Sequence, residues 1–197
     1  LSMEGSYTHL GPYFKVNKQL ADWEDEPQGI DGSLAFRQKT SQTGMFKFYS
    51  TYSKSNFSLF TSDLDDKKKK YLFGLDNQNI YINSSWKELL NDKWSVFIGS
   101  SYAYNWDDLT LDSVEVDEDD QLAQGKVIFS RSMGENSMLK FGGEVHDQDV
   151  NGRFDTIPYT INDLYSAGFA EADIYLTYKL AARVGVRAEN STILGDM

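Results

Sequence analysis

Carboxylates crowd several polar stretches of the chain, and they are the first residues that could do chemistry. Between 115 and 120 the acidic side chains stand two positions apart or closer. In a flexible loop, oxygens at this spacing can bind a calcium ion. Asp117 and Asp119 are therefore candidate metal ligands. The stretch lacks the glycine and the terminal glutamate of an EF-hand loop, and this favours a solvated acidic loop instead.

A second group of charges alternates with apolar residues in extended segments, and it contains both signs. On facing strands such charges would pair across a water-filled lumen. The same alternation also fits a soluble sheet whose wet face meets bulk water, and the pattern alone does not separate the two. The candidate lumen-facing residues are Arg37, Lys140, Glu144, Glu171, Asp173, Arg183, Arg187 and Glu189.

Catalytic motifs are missing from the sequence. There is no cysteine, the histidines His9 and His146 lie far apart, and no serine stands in a Gly-x-Ser-x-Gly elbow. We therefore expect a protein that is not an enzyme and needs no cofactor. A glycan-processing enzyme, the catalytic alternative, would need two loop carboxylates roughly 5–10 Å apart in a cleft. The net charge of −11 argues against a nucleic-acid partner, because phosphate binding needs a basic face.

Period-two alternation dominates the chain and predicts strands. In residues 180–189, for example, one face carries only Leu, Ala and Val, and the other carries three charges. Short turns alternate with long polar connections, which we place at 17–31, 61–70, 107–119 and 149–160. The pattern predicts an all-β, antiparallel up-and-down meander of about nine strands. Their expected ranges are 5–16, 32–40, 45–60, 71–87, 93–106, 120–133, 137–148, 161–176 and 179–190.

Aromatic residues make up 14% of the chain, and their placement favours a membrane protein. Trp86 and Trp94 flank a tight turn, and Tyr102 and Tyr104 follow further along the second strand. At roughly 3.4 Å per residue and a tilt of about 40°, the ten positions from Trp94 to Tyr104 span about 25 Å, the height of a lipid belt between its aromatic girdles. These four residues are the predicted interface aromatics.

Three stretches resemble the barrel of TonB-dependent outer-membrane receptors of the Bacteroidetes type. The resemblance covers nearly the whole chain, in strands and turns rather than in site motifs. It is carried by Gly32–Thr40 with Thr43–Lys47, by Leu139–Glu144, and by Phe169–Leu176 running into Lys179–Arg187.

This resemblance implies a barrel of about 22 strands that imports a small nutrient, with a plug domain and a TonB-type energising protein as partners. We expect residues 1–197 to form one incomplete barrel segment, with the plug absent, in the bacterial outer membrane. Its apolar face would contact outer-membrane lipid, and the isolated fragment would self-associate. The alternative is a soluble lipocalin-like β-barrel or sandwich that binds a small ligand.

Overall fold

The computed structural model describes residues 1–62, 69–134, 137–177 and 179–195, which form one antiparallel sheet with two short helices. The elements in chain order are β1 (Ser2–His9), α1 (Gly11–Val16), β2 (Asp22–Lys39), β3 (Met45–Ser62), β4 (Lys70–Leu89), β5 (Trp94–Leu111), β6 (Val114–Met133), β7 (Ser137–Phe154), β8 (Ile157–Thr177), β9 (Leu180–Ser191) and α2 (Thr192–Gly195).

Each strand pairs with the strands before and after it in sequence, in the order β1 to β9. The predicted all-β, antiparallel up-and-down meander of nine strands is confirmed. From β3 to β8 the register runs without a shift. Shifts interrupt the ladder only near Trp23 and Asp25 in β2 and near Tyr175 in β8, among the described residues. Odd and even positions therefore keep to opposite faces over most of the sheet.

The strands are longer than the sequence predicts, and two of the expected long loops are wrong. Residues 107–119 and 149–160 belong mostly to strands, which meet in two-residue turns at 112–113 and 155–156. Asp112 and Asp155 each adopt a φ of 56°, a left-handed conformation that aspartate tolerates in tight turns. We call this end of the sheet the far end, and the end with the turns at 40–44 and 90–93 the near end.

The remaining boundaries also need correction. Residues 11–16 form α1 rather than the end of a strand, with Pro12 in its first turn, where a missing N–H costs nothing. Much of the expected loop 17–31 is the start of β2. The expected loop 61–70 and the turns at 134–137 and 177–179 include residues outside the described ranges.

No second layer covers the sheet in the part of the chain that the structure describes. Val96 and Ala167 are the buried apolar residues there, and no large side chain is fully buried. Val184 and Val186 on β9 are 62% and 73% exposed. No helix among the described residues is long and apolar enough to cross a membrane.

Most apolar residues in the near half of the strands share one face, and many of them are exposed. We call this surface the apolar belt, and the face behind it the polar face. Direct register partners define both faces. The belt contains Leu34, Phe36, Phe48, Tyr52, Ile80, Ile82, Trp86, Trp94, Val96, Ile98, Tyr102, Tyr104, Val127, Phe129, Leu139, Phe141, Val145, Ala170, Ala172, Val184 and Val186.

Candidate functional site on the polar face

The eight charges that the sequence assigns to a lumen all lie on the polar face, and seven of them form two ion-pair clusters. In the first cluster Lys140 of β7 lies 3.5 Å from Glu171 and 3.6 Å from Asp173 of β8. Arg183 of β9 lies 2.6 Å from Asp173 and 3.7 Å from Glu171. Two cations thus share two carboxylates across three strands.

Glu144 of β7 is the centre of the second cluster. Its carboxylate accepts hydrogen bonds from Lys126 of β6 at 2.7 Å and from Arg187 of β9 at 2.5 Å. The Arg187 Nε also donates to Glu189 at 2.9 Å, and the Tyr165 hydroxyl donates to the same carboxylate at 2.7 Å. The Glu144 side chain is only 9% exposed. A carboxylate with so little contact with water needs both cations to offset its lost hydration.

Lys126 and Tyr165 are members of this cluster that the sequence reasoning missed. Both have the parity of the polar face in their strands, and that parity is the signal that could have found them. Arg37 has the same parity on β2, but no ion pair joins it to either cluster among the described residues. The orientation of the eight charges toward a lumen stays a prediction.

A hollow of about 330 Å³ lies beside the second cluster. Gln124, Glu144, His146, Tyr165 and Arg187 are among the residues that line it. The His146 and Tyr165 rings lie 5.2 Å apart between centroids. The hollow offers hydrogen-bond donors, acceptors and fixed charges to a polar solute. Three of them, Glu144, Tyr165 and Arg187, are hydrogen-bonded through the Arg187 guanidinium.

The four predicted interface aromatics all lie on the belt face. At the near end, the indole N–H of Trp86 donates to Thr40 Oγ1 at 3.0 Å, and the Arg131 guanidinium lies 5.4 Å from the Trp94 ring. Toward the far end, the Tyr102 and Tyr104 hydroxyls donate to polar side chains, Gln121 at 3.2 Å and Asp119 at 2.7 Å. The rings thus lie in the belt while their polar atoms bond at its margins, as amphipathic aromatics do at an interface.

The candidate metal ligands Asp117 and Asp119 lie on β6, not in a flexible loop. Asp117 is engaged by the Arg153 guanidinium of β7, whose hydrogen bond lowers the Asp117 pKa. Asp119 accepts the Tyr104 hydrogen bond. No group of three or more histidine or acidic residues that could hold a metal ion occurs within 1–62, 69–134, 137–177 and 179–195. The structure therefore does not bring these two carboxylates into a metal centre.

Beyond the belt, toward the far end, the two faces exchange character. The belt face now carries a row of direct register partners, Asp76, Asp108, Asp117 and Arg153. Burial and the neighbouring Asp117, Glu115 and Asp76 raise the pKa of Asp108. On the polar face the matching row is apolar, running through Phe57, Leu75, Leu109, Val116, Phe154 and Ile157.

Comparison with known proteins finds little. No family model matches the chain, and no curated protein matches it. Among solved structures, the chain is similar to the translocator domain of the autotransporter NalP from Neisseria meningitidis, with a TM-score of 0.44 and 12% sequence identity. The similarity covers 87% of this chain and 64% of that one.

Glu144→Gln should destabilise the protein more than the matched change Glu189→Gln. The substitution leaves Lys126 and Arg187 facing a neutral amide in a site with little water, and it should lower the free energy of unfolding by about 1–3 kcal/mol. Glu189 is 58% exposed, so water can replace its contacts and the loss should be smaller. Denaturant titration of detergent-refolded protein, followed by tryptophan fluorescence, measures both. Equal, small losses would show that the second cluster does not stabilise the sheet.

Proposed function

We propose that the chain forms part of the wall of an outer-membrane β-barrel in a bacterium, with the apolar belt against lipid and the polar face toward a hydrated interior. One observation carries this proposal. A broad belt of Ile, Val, Phe and aromatic residues is left open to its surroundings on one face, while charges of both signs pair on the face behind it. Exposing such a belt to water would be costly, and hydrocarbon removes that cost.

The dimensions and edges of the belt support the same placement. On β5 its apolar positions extend from Trp94 to Tyr104, about ten residues, or about 25 Å at a 40° tilt. Trp94 marks one margin and Tyr102 and Tyr104 mark the other, while Trp86 lies opposite Ile98, further into the belt. Within the belt every strand hydrogen-bonds to its sequence neighbours, so backbone polar groups away from the sheet edges are satisfied without water.

Within this class we propose a TonB-dependent receptor that imports a small nutrient. The resemblance of strands β2, β3, β7, β8 and β9 to such barrels supports it, and so does a polar face rich in paired charges. In the full-length protein, a plug domain and a TonB-type energising protein would be its partners. The chain would supply wall and binding contacts and would not itself catalyse a reaction.

The soluble lipocalin-like alternative requires the apolar residues to point into a closed core. Phe141 and Val145 are 36% and 44% exposed, and Val184 and Val186 are more exposed still. No observation on the described residues favours this alternative over the membrane placement.

Val127→Arg should destabilise the sheet in lipid far more than Ile128→Arg, its neighbour on β6. Val127 pairs with Ile98, midway between Trp94 and Tyr102 on β5, and belongs to the belt, whereas Ile128 lies at nearly the same depth on the polar face. A guanidinium near the middle of the hydrocarbon costs about 2–4 kcal/mol, whereas a hydrated interior accepts it. Urea unfolding from phospholipid vesicles measures the difference. Equal costs for the two variants would contradict the placement of the belt in lipid.

Energy dependence tests the import role separately. Cells that carry the full-length protein should remove from the medium a nutrient that cells without the protein leave there. Mass spectrometry of the spent medium measures this difference. A protonophore should abolish this difference, because the uptake is driven from the inner membrane. Passive entry of a small neutral solute serves as the control and should not change. Depletion that persists in the de-energised cells would point to a passive pore instead.

A further inference from the structure

At the far end of the sheet, the apolar row on the polar face forms a continuous surface. A hydrated interior gives this surface no role. Its members are direct register partners across six strands: Phe57, Leu75, Leu109, Val116, Phe154 and Ile157. Phe154 and Ile157 are 54% and 66% exposed, so the β7–β8 end of the row is uncovered by the described residues. We call this surface the far-end row.

The β3 end of the row borders an aromatic cluster that includes α1. Phe14 of α1 stacks on Trp23 with ring centroids 5.5 Å apart. Trp23 in turn meets the edge of Phe57 at 6.1 Å, and Phe57 lies 5.8 Å from Phe73. A short helical turn thus stacks an aromatic side chain on Trp23, next to the row, and the row continues beyond Phe57.

Uncompensated carboxylates lie directly beside the row. Asp107 of β5 and Glu118 of β6 are register partners on the same face, and Asp120 follows two positions along β6. Their hydrogen-bond donors are all neutral: Asn77 for Asp107, Tyr159 for Glu118 and Gln148 for Asp120. No cation pairs with any of the three in the part of the chain that the structure describes. Carboxylates placed opposite each other repel, and a cation between them would remove that cost.

The neighbouring carboxylate on the other face does have a cation. Asp117 lies between Glu118 and Val116 in sequence but on the belt face, and Arg153 pairs with it there. Glu118 has instead the Tyr159 hydroxyl, which reaches it from β8 across Gly152, where any Cβ would meet the tyrosine ring. Asp107, Glu118 and Asp120 thus border the apolar row with neutral hydrogen-bond donors, whereas Asp117, one position from Glu118, has a cation.

We propose that the far-end row and the carboxylates Asp107, Glu118 and Asp120 bind a cationic amphipathic peptide segment. Its apolar side chains would pack on the row, and its lysines or arginines would pair with the carboxylates. Five strand spacings of about 4.8 Å make the row about 24 Å long, which matches a helix of about 16 residues. Charge complementarity selects this occupant over a neutral or acidic one. The proposal goes beyond nutrient import and requires only the sheet itself.

Binding of a labelled peptide to the full, refolded chain in maltoside micelles tests the proposal. The probe is a 16-residue helix with one leucine face and one lysine face, followed by fluorescence anisotropy. A scrambled peptide of identical composition and a version with glutamate in place of lysine are the comparison probes. The test variant is D107N/E118Q, and the matched control D147N/D149N removes two charges from the opposite face.

The amphipathic lysine peptide should bind, and D107N/E118Q should weaken binding at least tenfold at 0.1 M salt. The D147N/D149N control should stay within twofold of the parent, and both comparison probes should bind at least tenfold more weakly. No binding, equal binding of the scrambled or glutamate peptide, or an unchanged affinity of D107N/E118Q would each overturn the proposal. Because the test needs no transport, its failure would leave the import role standing, and the reverse also holds.

Discussion

The unbroken hydrogen-bond ladder from β3 to β8 is the constraint on which the other features depend. Because no register shift interrupts it, the parity of a residue in its strand decides which face its side chain occupies. A slip of one residue would turn Ile82 and Val127 to the polar face and Glu144 and Lys126 to the belt. The ladder therefore fixes the apolar belt, the ion-pair clusters and the far-end row together.

Polarity along each face follows from what that face must contact. In the near half of the strands the apolar belt is exposed. The polar face behind it holds its charges in ion-pair clusters, such as that of Lys126, Glu144 and Arg187. Buried charges are costly unless an opposite charge or hydrogen bonds offset their lost hydration. Beyond the belt the two faces exchange polarity. The acidic row containing Asp76 and Asp108 lies on the belt face, and the far-end row of apolar residues lies on the polar face.

This exchange explains which parts of the fold the sequence predicts and which it does not. In the near half of each strand the apolar residues occupy alternate positions on one face. The number, order and faces of the strands are therefore predictable from this alternation. At 107–111 the alternation continues in the opposite phase, because Leu109 and Leu111 lie on the polar face. From its sequence alone this stretch therefore resembles an acidic loop. The shared face of the eight charges was predictable by parity. Their pairing across three strands, and the contacts of Lys126 and Tyr165, depend on the register, which a single sequence does not specify.

The central claim is that the apolar belt contacts hydrocarbon, and collision-accessibility measurements on β6 test it most directly. The chain has no cysteine, so single-cysteine spin labels at each position from 123 to 129 are unambiguous. In phospholipid bilayers, the account predicts that molecular oxygen reaches the odd positions best and that a water-soluble nickel chelate reaches the even ones, which include Gln124 and Lys126. The reverse phase, or no alternation between the two reagents, would contradict it.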